Sequence, residues 1–399
     1  MLLSNNTSSD GKSIIKRLSF LDRFLPIWIL LAIAIGLLLG LIPNIKDVFN
    51  VVQIRGTVSL PIAIGLFWMM YPVLAKVKYE DTPKAFKEWK LFTVSLTLNW
   101  IIGPFLMFFL ALTFLYENQF ADFREGMIII GLARCIAMVL IWNMLAGGDN
   151  EHAAILVAIN SIFQILTYSI LSYFFLTIMS GWFNLPPATA EVKMSEIAIS
   201  VAIYLGIPLV AGMITRLIGV KAKGKEWYDQ KFAPKLGPVA LFGLLYTVII
   251  MFAMQGKEII GLKWQLFRIA SPLFLYFIIM FLISYVGSWL LRFNYKKTVT
   301  QSFTAASNNF ELAIAVAIGT WGITSKQALA TVIGPLIEVP VLIGLVYVSI
   351  WLKKFFYTID GTPKKVFPRK SISTDSNFKP KESINSEEKA DQNDSSQLK

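Results

Sequence analysis

The chain of 399 residues has one cysteine, Cys135, and one histidine, His152. A single cysteine excludes an intramolecular disulfide, a cysteine-rich zinc site and an iron–sulfur cluster. A lone histidine argues against a histidine-ligated metal centre, and it leaves a cysteine hydrolase without a base inside the apolar segments. Those segments also lack the paired aspartates of a membrane aspartyl protease. We therefore expect no cofactor and no enzymatic activity.

Charged residues are scarce at 16% of the chain, whereas 55% of the residues are hydrophobic and the mean hydropathy is +0.61. A water-soluble protein carries about a quarter charged residues. Apolar stretches long enough to cross a bilayer recur along the chain. The sequence thus predicts an all-α polytopic membrane protein with ten transmembrane helices. The predicted spans are 24–42, 51–75, 91–115, 124–147, 151–179, 194–218, 233–254, 267–291, 297–321 and 326–352.

Lysine and arginine cluster at alternate ends of these spans. They are frequent in 1–23, in the loop 76–90, in 216–235 and after spans eight and ten, and sparse in the other connections. Basic residues mark the cytoplasmic side of a membrane protein. Both termini are therefore expected in the cytoplasm, with 361–399 as a disordered polar tail. Topology accounts for the net charge of +12, and no nucleic-acid partner is needed.

Ten spans divide into two halves of five, 24–179 and 194–355, and an odd number of spans inverts the second half. A weak internal similarity aligns 147–160 with 322–335, so that Gly147 corresponds to Gly322. The same offset pairs the polar interruption of span four with that of span nine. We predict two inverted five-helix repeats.

The two interruptions carry the candidate site. Span nine has Asn308, Asn309 and Glu311 at its middle, and span four has Arg134 and Cys135. Serine and asparagine favour side-chain-to-backbone hydrogen bonds over continuous helix, which predicts a break in helices four and nine. Ionisable residues inside a membrane indicate a functional site, and half-helix ends at mid-membrane form a pocket. The alternative is polar contact between helices.

A mid-span arginine costs roughly 2.5–3.5 kcal/mol on insertion scales, so Arg134 needs a partner, either a carboxylate or the carbonyl ends of helices. Glu311 and Glu338 are the available carboxylates, and the sequence does not decide between them. Cys135 adjoins Arg134 at the predicted break, and both features favour a thiolate. The alternative for a buried cysteine is a packing role. A single thiolate suits a carrier of a soft, thiophilic solute, because a carrier must release what it binds.

Three segments carry a resemblance to a known family: GLARCIAMVLIWN, SNNFELAIAVAIG and ALATVIGPLIEVPVLIGLVYVS. Here the chain resembles the arsenical-resistance arsenite permeases (the Acr-three family) of the bile acid, arsenite and riboflavin transporter superfamily. The similarity extends from about Leu18 to Tyr357. It implies discontinuous helices four and nine and export of trivalent arsenic, as arsenous acid or arsenite, in exchange for protons. Antimonite is a second candidate substrate, and the plasma (cell) membrane with its lipids is the expected location.

The resemblance also implies which residues bind and transport the substrate. They are Cys135 as the As(III) thiolate, Arg134, Glu311, Asn308, Asn309 and Glu338. Met144 is a departure, because many members of the family carry an acidic residue after the WN pair. A sodium-coupled organic-anion symporter on the same fold is the alternative function, and it leaves Cys135 without a role.

Overall fold

The computed structural model describes residues 24–43, 53–54, 58–81, 88–185 and 193–364. The predicted cytoplasmic segment 1–23 and the tail from residue 365 onward lie outside the described residues, as do residues 82–87 of the basic loop.

The described residues form mainly helices. In chain order the main elements are α1 (Leu25–Gly40), β1 (Gln53–Ile54), β2 (Val58–Ser59), α2 (Leu60–Ala75), α3 (Trp89–Phe114), α4 (Ala121–Leu132), α5 (Met138–Leu145), α6 (Asn150–Trp182), α7 (Met194–Lys223), α8 (Lys225–Gly261), α9 (Gln265–Leu290), α10 (Tyr295–Ala306), α11 (Phe310–Trp321) and α12 (Lys326–Phe356).

Six of these helices, namely α3, α6, α7, α8, α9 and α12, are long and apolar enough to cross a membrane. Shorter apolar helices are α1, α2 and α11. Large apolar side chains also lie on the outer surface, for example Leu38 and Phe267, as expected where lipid replaces water. These helices are those of a polytopic membrane protein.

The predicted second span is wrong at its start. Helix α2 begins at Leu60, and the preceding residues form an antiparallel hairpin that pairs Gln53 with Ser59 and Ile54 with Val58. The β-branched residues of this segment favour a strand. Pro61 then fits the first turn of α2, where a missing N–H costs nothing.

The helices pack in two groups. Helices α1, α2, α7 and α8 contact one another, and α3, α4, α9, α10 and α12 form the second group around the interrupted helices. Glycines allow close approach in the first group. A Cβ atom at Gly36 would lie 2.6 Å from Phe252 Cβ, and one at Gly243 would lie 2.6 Å from the Met69 backbone nitrogen. Small residues at these crossings are typical of helix pairs in membranes.

The helix boundaries recur along the chain. Helices α3, α4 and α6 return as α9, α10 and α12, with their bounds displaced by a nearly constant offset that also relates Gly147 to Gly322. These two glycines have backbone φ angles of 74° and 88°, and they follow the half-helices α5 and α11. Positive φ is readily adopted by glycine at a helix end. Local structure therefore repeats at the spacing found in the sequence.

Candidate functional site

The interruptions of two helices meet in the buried interior. The chain is non-helical around Arg134, between α4 and α5, and around Asn308, between α10 and α11. These two residues form an isolated antiparallel β-bridge. The Asn308 side-chain amide also donates to the carbonyls of Ile130 and Ala133 at 2.9 and 3.1 Å, and the Asn309 N–H donates to Ala133 at 3.1 Å. Each segment therefore satisfies backbone groups of the other.

Arg134 is fully buried at the C-terminal ends of two helices. Its Nη1 donates to the Tyr276 hydroxyl at 2.8 Å, and its Nη2 donates to the Gly131 carbonyl in the last turn of α4. The Tyr276 hydroxyl in turn lies 3.4 Å from the Ala305 carbonyl at the end of α10. Helix C termini carry partial negative charge, which stabilises the guanidinium.

Of the two kinds of partner expected for Arg134, the structure shows the carbonyl end of a helix, supplemented by one tyrosine hydroxyl. Within the described residues Arg134 makes no ion pair with Glu311 or Glu338. Carbonyl groups are available here because two helices end beside this side chain.

Cys135 lies at the N-terminal end of α5 and is 4% exposed. Its sulfur accepts a hydrogen bond from the Val139 N–H at 3.3 Å. No hydrogen bond joins the sulfur to the Arg134 guanidinium in the described structure, so the expected cation–thiol pair is absent. The N terminus of α5, which carries partial positive charge, lies beside the sulfur instead. Glu338 and Glu311 are near enough to interact electrostatically with the thiol.

Glu311 occupies the corresponding place on the other interrupted helix. It lies in the first turn of α11 and is 4% exposed. The Asn309 side chain caps this helix by accepting from the Leu312 N–H at 3.0 Å. The thiol and the Glu311 carboxyl thus both lie at half-helix N termini, where negative charge is stabilised.

Glu338 projects from α12 against the interruption between α10 and α11. Its Oε1 accepts from the Ser307 hydroxyl at 2.5 Å, and the carboxyl lies against the Asn308 backbone N–H. Helix α12 continues through Pro335 and Pro340. All the predicted site residues are therefore brought to one buried crossing.

Several polar atoms at this crossing have no hydrogen-bond partner among the described residues. They are Arg134 Nε, Asn308 Oδ1, Asn309 Nδ2 and Glu338 Oε2. A buried polar atom without a partner costs free energy, so such atoms point to a ligand that completes their hydrogen bonds. The set includes donors and acceptors, and it suits a small hydroxylated molecule.

A cavity of about 460 Å³ lies beside α5, and none of the predicted site residues lines it. Its wall includes Ala137 just before α5, Ile141 and Met144 of α5, Lys76 after α2 and Asn150 of α6. Ala137 is close to Cys135 in the chain. Met144, the departure from the family pattern, therefore lies on the wall of this cavity.

Two residues that contact Arg134, Tyr276 and Gln164, are not among the site residues predicted from the sequence. Tyr276 resembles any aromatic residue of an apolar span, and nothing in its sequence surroundings predicts a contact with Arg134. From the sequence, Gln164 could line a cavity or bond to a neighbouring helix. A glutamine in the middle of an apolar span indicates a buried hydrogen-bond partner but does not identify it. The Gln164 side chain contacts both backbone groups of Arg134. The described residues contain no cluster of three His, Cys, Asp or Glu side chains that suits a metal ion.

Comparisons with known proteins identify a family and relatives of this chain. Residues 63–262 match the model of the sodium bile acid symporter family. The chain is 49% identical over 361 residues to the arsenical-resistance protein Acr3 of Corynebacterium glutamicum, covering 90% of this chain and 96% of that protein. It is 31% identical to the protein of the same name from Alkaliphilus metalliredigens, covering 87% and 96%. It is also 35% identical to an uncharacterized transporter of Synechocystis, covering 87% and 92%.

Proposed function

The chain belongs to the sodium bile acid symporter family and, within it, to the Acr3 arsenical-resistance proteins, and from this premise we propose that it exports trivalent arsenic by proton antiport. Arsenous acid or arsenite is the substrate, and antimonite is a second substrate of the same chemistry. The protein acts in the plasma membrane and gives resistance by lowering the cytoplasmic arsenic concentration.

The observation that carries this proposal is the group of unpartnered polar atoms around a lone cysteine. Arsenous acid offers three hydroxyl groups, which donate to Asn308 Oδ1 and accept from Arg134 Nε and Asn309 Nδ2. Its arsenic atom is soft and prefers sulfur. The Cys135 sulfur displaces one hydroxyl, an As–S bond forms, and the thiol proton leaves with that hydroxyl as water. Hydrolysis reverses the step on release.

We assign proton exchange to Glu311. Its carboxyl is buried at the N terminus of α11 and acts on the same thiol, so protonation of Glu311 and arsenic binding at Cys135 influence each other. Because protonation of Glu311 and arsenic binding at Cys135 exclude each other, each transport cycle must exchange a proton for an arsenic species. One proton moving through about 100 mV supplies about 2.3 kcal/mol, which supports a gradient of a neutral substrate on the order of fiftyfold.

We also propose the inverted-repeat architecture predicted from the sequence. The repeats are 24–179 and 194–355, with both termini cytoplasmic and with 1–23 and 361–399 on that side. The recurrence of helix bounds at a nearly constant offset supports this arrangement. The antiparallel bridge between Arg134 and Asn308 supports it too, since equivalent segments of inverted repeats cross in opposite directions.

The cavity along α5 then serves as the cytoplasmic entrance. It lies at the end of the bundle that carries Lys76, which is the basic side of the predicted topology. Arsenous acid enters there and reaches Cys135 along the Ile141 face of α5.

The test is arsenite uptake into everted membrane vesicles with an acidic lumen. Wild type is compared with Cys135→Ser, Glu311→Gln and the control Ser161→Ala, whose buried hydroxyl bonds only to the Val157 carbonyl of its own helix. We expect gradient-driven uptake in wild type and Ser161→Ala, and none in the other two. Uptake in Cys135→Ser would reduce the thiol to packing. Flux only with sodium and an organic anion would identify an importer instead.

A further inference from the structure

The Gln164 side chain forms hydrogen bonds with both backbone groups of Arg134, its N–H and its C=O. Its Oε1 accepts from the Arg134 N–H at 2.8 Å, and its Nε2 donates to the Arg134 carbonyl at 3.0 Å. Gln164 is fully buried on α6. Its side-chain amide therefore imitates a neighbouring strand, while the bridge to Asn308 occupies the opposite edge.

Glu338 contacts the other non-helical segment in a corresponding way. Its carboxyl accepts from the Ser307 hydroxyl at 2.5 Å and lies against the Asn308 N–H. The separation between Gln164 and Glu338 along the chain equals the separation between Arg134 and Asn308. The two side chains thus occupy equivalent places on α6 and α12, each against the equivalent interruption.

We propose that Gln164 and Glu338 are a matched pair of positioning residues, which hold the two interrupted segments in register and thereby orient Cys135 and Glu311. Non-helical backbone inside a membrane has no water to satisfy its N–H and C=O groups, so protein groups must do it. The consequence for arsenic transport rests on the proposed function. The positioning itself does not.

Two substitutions of Glu338 distinguish a positioning role from a role as proton carrier. Its task is to accept hydrogen bonds, and the amide oxygen of Gln164 accepts the equivalent backbone hydrogen bond, from the Arg134 N–H. An amide oxygen at 338 accepts from Ser307 as the carboxyl does, so Glu338→Gln keeps the segment in place. Glu338→Leu removes the acceptor. A proton carrier at this position would lose its function in both variants.

The first measurement uses Cys135 as a unique reporter, because the chain has no other cysteine. We measure the rate at which N-ethylmaleimide labels the full-length protein in membranes. Gln164→Leu should label at least about tenfold faster than wild type, the factor expected when two buried hydrogen bonds of ordinary strength are lost. Glu338→Leu should also label faster. Glu338→Gln and the control Ser161→Ala should match wild type.

A labelling rate in Gln164→Leu equal to that of wild type would overturn the proposal. Should Gln164→Leu fail to fold, Gln164→Glu provides the same comparison, because it keeps the acceptor for the Arg134 N–H and loses only the donor to the carbonyl. A smaller acceleration is then expected, and no acceleration again counts against the role.

The second measurement is arsenite uptake. Glu338→Gln should keep the pH dependence of wild type, whereas Glu338→Leu and Gln164→Leu should raise the KM with little change in the pH profile. Uptake in Glu338→Gln that no longer depends on the pH gradient would identify a proton carrier and contradict the proposal. If wild type transports no arsenite, the proposed function fails, and the labelling rates still decide whether Gln164 and Glu338 position the segments.

Discussion

Arg134 illustrates how a charge is accommodated inside a membrane without a counter-ion. The cost of burying a guanidinium falls when its N–H groups meet oriented carbonyls, and two helices end at this point. Arg134 uses the Gly131 carbonyl and the Tyr276 hydroxyl. The guanidinium therefore interacts with helix C termini, whereas the thiol and the Glu311 carboxyl lie at helix N termini. The proposed binding of substrate at the thiol and of a proton at Glu311 requires that neither group be occupied by the guanidinium.

Removing the Tyr276 hydroxyl tests this account. In Tyr276→Phe the buried Arg134 Nη1 loses its 2.8 Å acceptor, which should lower the free energy of unfolding by about 1–3 kcal/mol and raise the KM for arsenite. Thermal unfolding in detergent and vesicle uptake measure the two effects. Tyr285→Phe is the control, since Tyr285 lies on the same helix, is equally buried, and its hydroxyl has no partner among the described residues. Equal unfolding temperatures for the two variants would contradict the role of Tyr276.

Candidate site residues were predictable from the sequence where a polar or ionisable side chain interrupts an apolar span. Cys135, Glu311 and the asparagine pair are polar groups in two apolar spans, so the sequence predicts them as site residues, and the structure places all four in the buried interior. The Tyr276 partner of Arg134 was not predictable, because Tyr276 is 142 positions away and lies in an ordinary aromatic span. Contacts between distant helices depend on packing that no local pattern encodes.

At the scale of elements, the interruptions followed from local chemistry. Asn309 accepts from the Leu312 N–H, which is the competition between side chain and helix that the Ser-Asn-Asn run predicts. The start of α2 was mispredicted because apolar β-branched residues preceding Pro61 are equally compatible with helix and strand. Average hydropathy does not distinguish the two.

An ion pair connects the segment after α2 to α7, and its contribution to stability should depend on pH. Arg216, whose side chain is 1% exposed, binds Glu80 at 2.6 and 3.0 Å and Asp229 at 3.0 Å. Hydrogen bonding to Arg216 lowers the pKa of Glu80 from 4.5 to about 2. A lowered carboxyl pKa stabilises the fold above about pH 4.5, and this contribution is lost as the pH falls toward 2.

Glu80→Gln should therefore lower the unfolding temperature at pH 7, and the difference from wild type should shrink below pH 4.5. We expect a loss of about 1 kcal/mol at pH 7, because the Glu80 side chain is 38% exposed and solvent screens the pair. Thermal unfolding between pH 3 and pH 7 measures it. Glu151→Gln, at a side chain 80% exposed, is the control and should have little effect. A difference that grows on acidification would contradict this account.

At the scale of the whole molecule, the proposed inverted repeat predicts a second conformation from the first. If the two halves exchange roles, the cavity along α5 closes and an equivalent cavity opens along α11. Ile141, Leu241 and Leu244 line the present cavity, and the offset that relates Gly147 to Gly322 gives their counterparts as Val316, Leu66 and Met69. Those counterparts are now at most 1% exposed. The external entrance should be lined by them.

Cysteines introduced in a Cys135→Ala background test this exchange with a membrane-impermeant thiol reagent. Ile141→Cys should react only from the cytoplasmic side, and Val316→Cys only from the external side. Val332→Cys, fully buried on α12 and absent from the wall of the cavity, should react from neither. Reaction of Val316→Cys from the cytoplasm, or from neither side, would mean that the halves do not exchange roles. Since one proton and one arsenic species must reach the same crossing from opposite faces, an exporter of the proposed kind requires the external reaction.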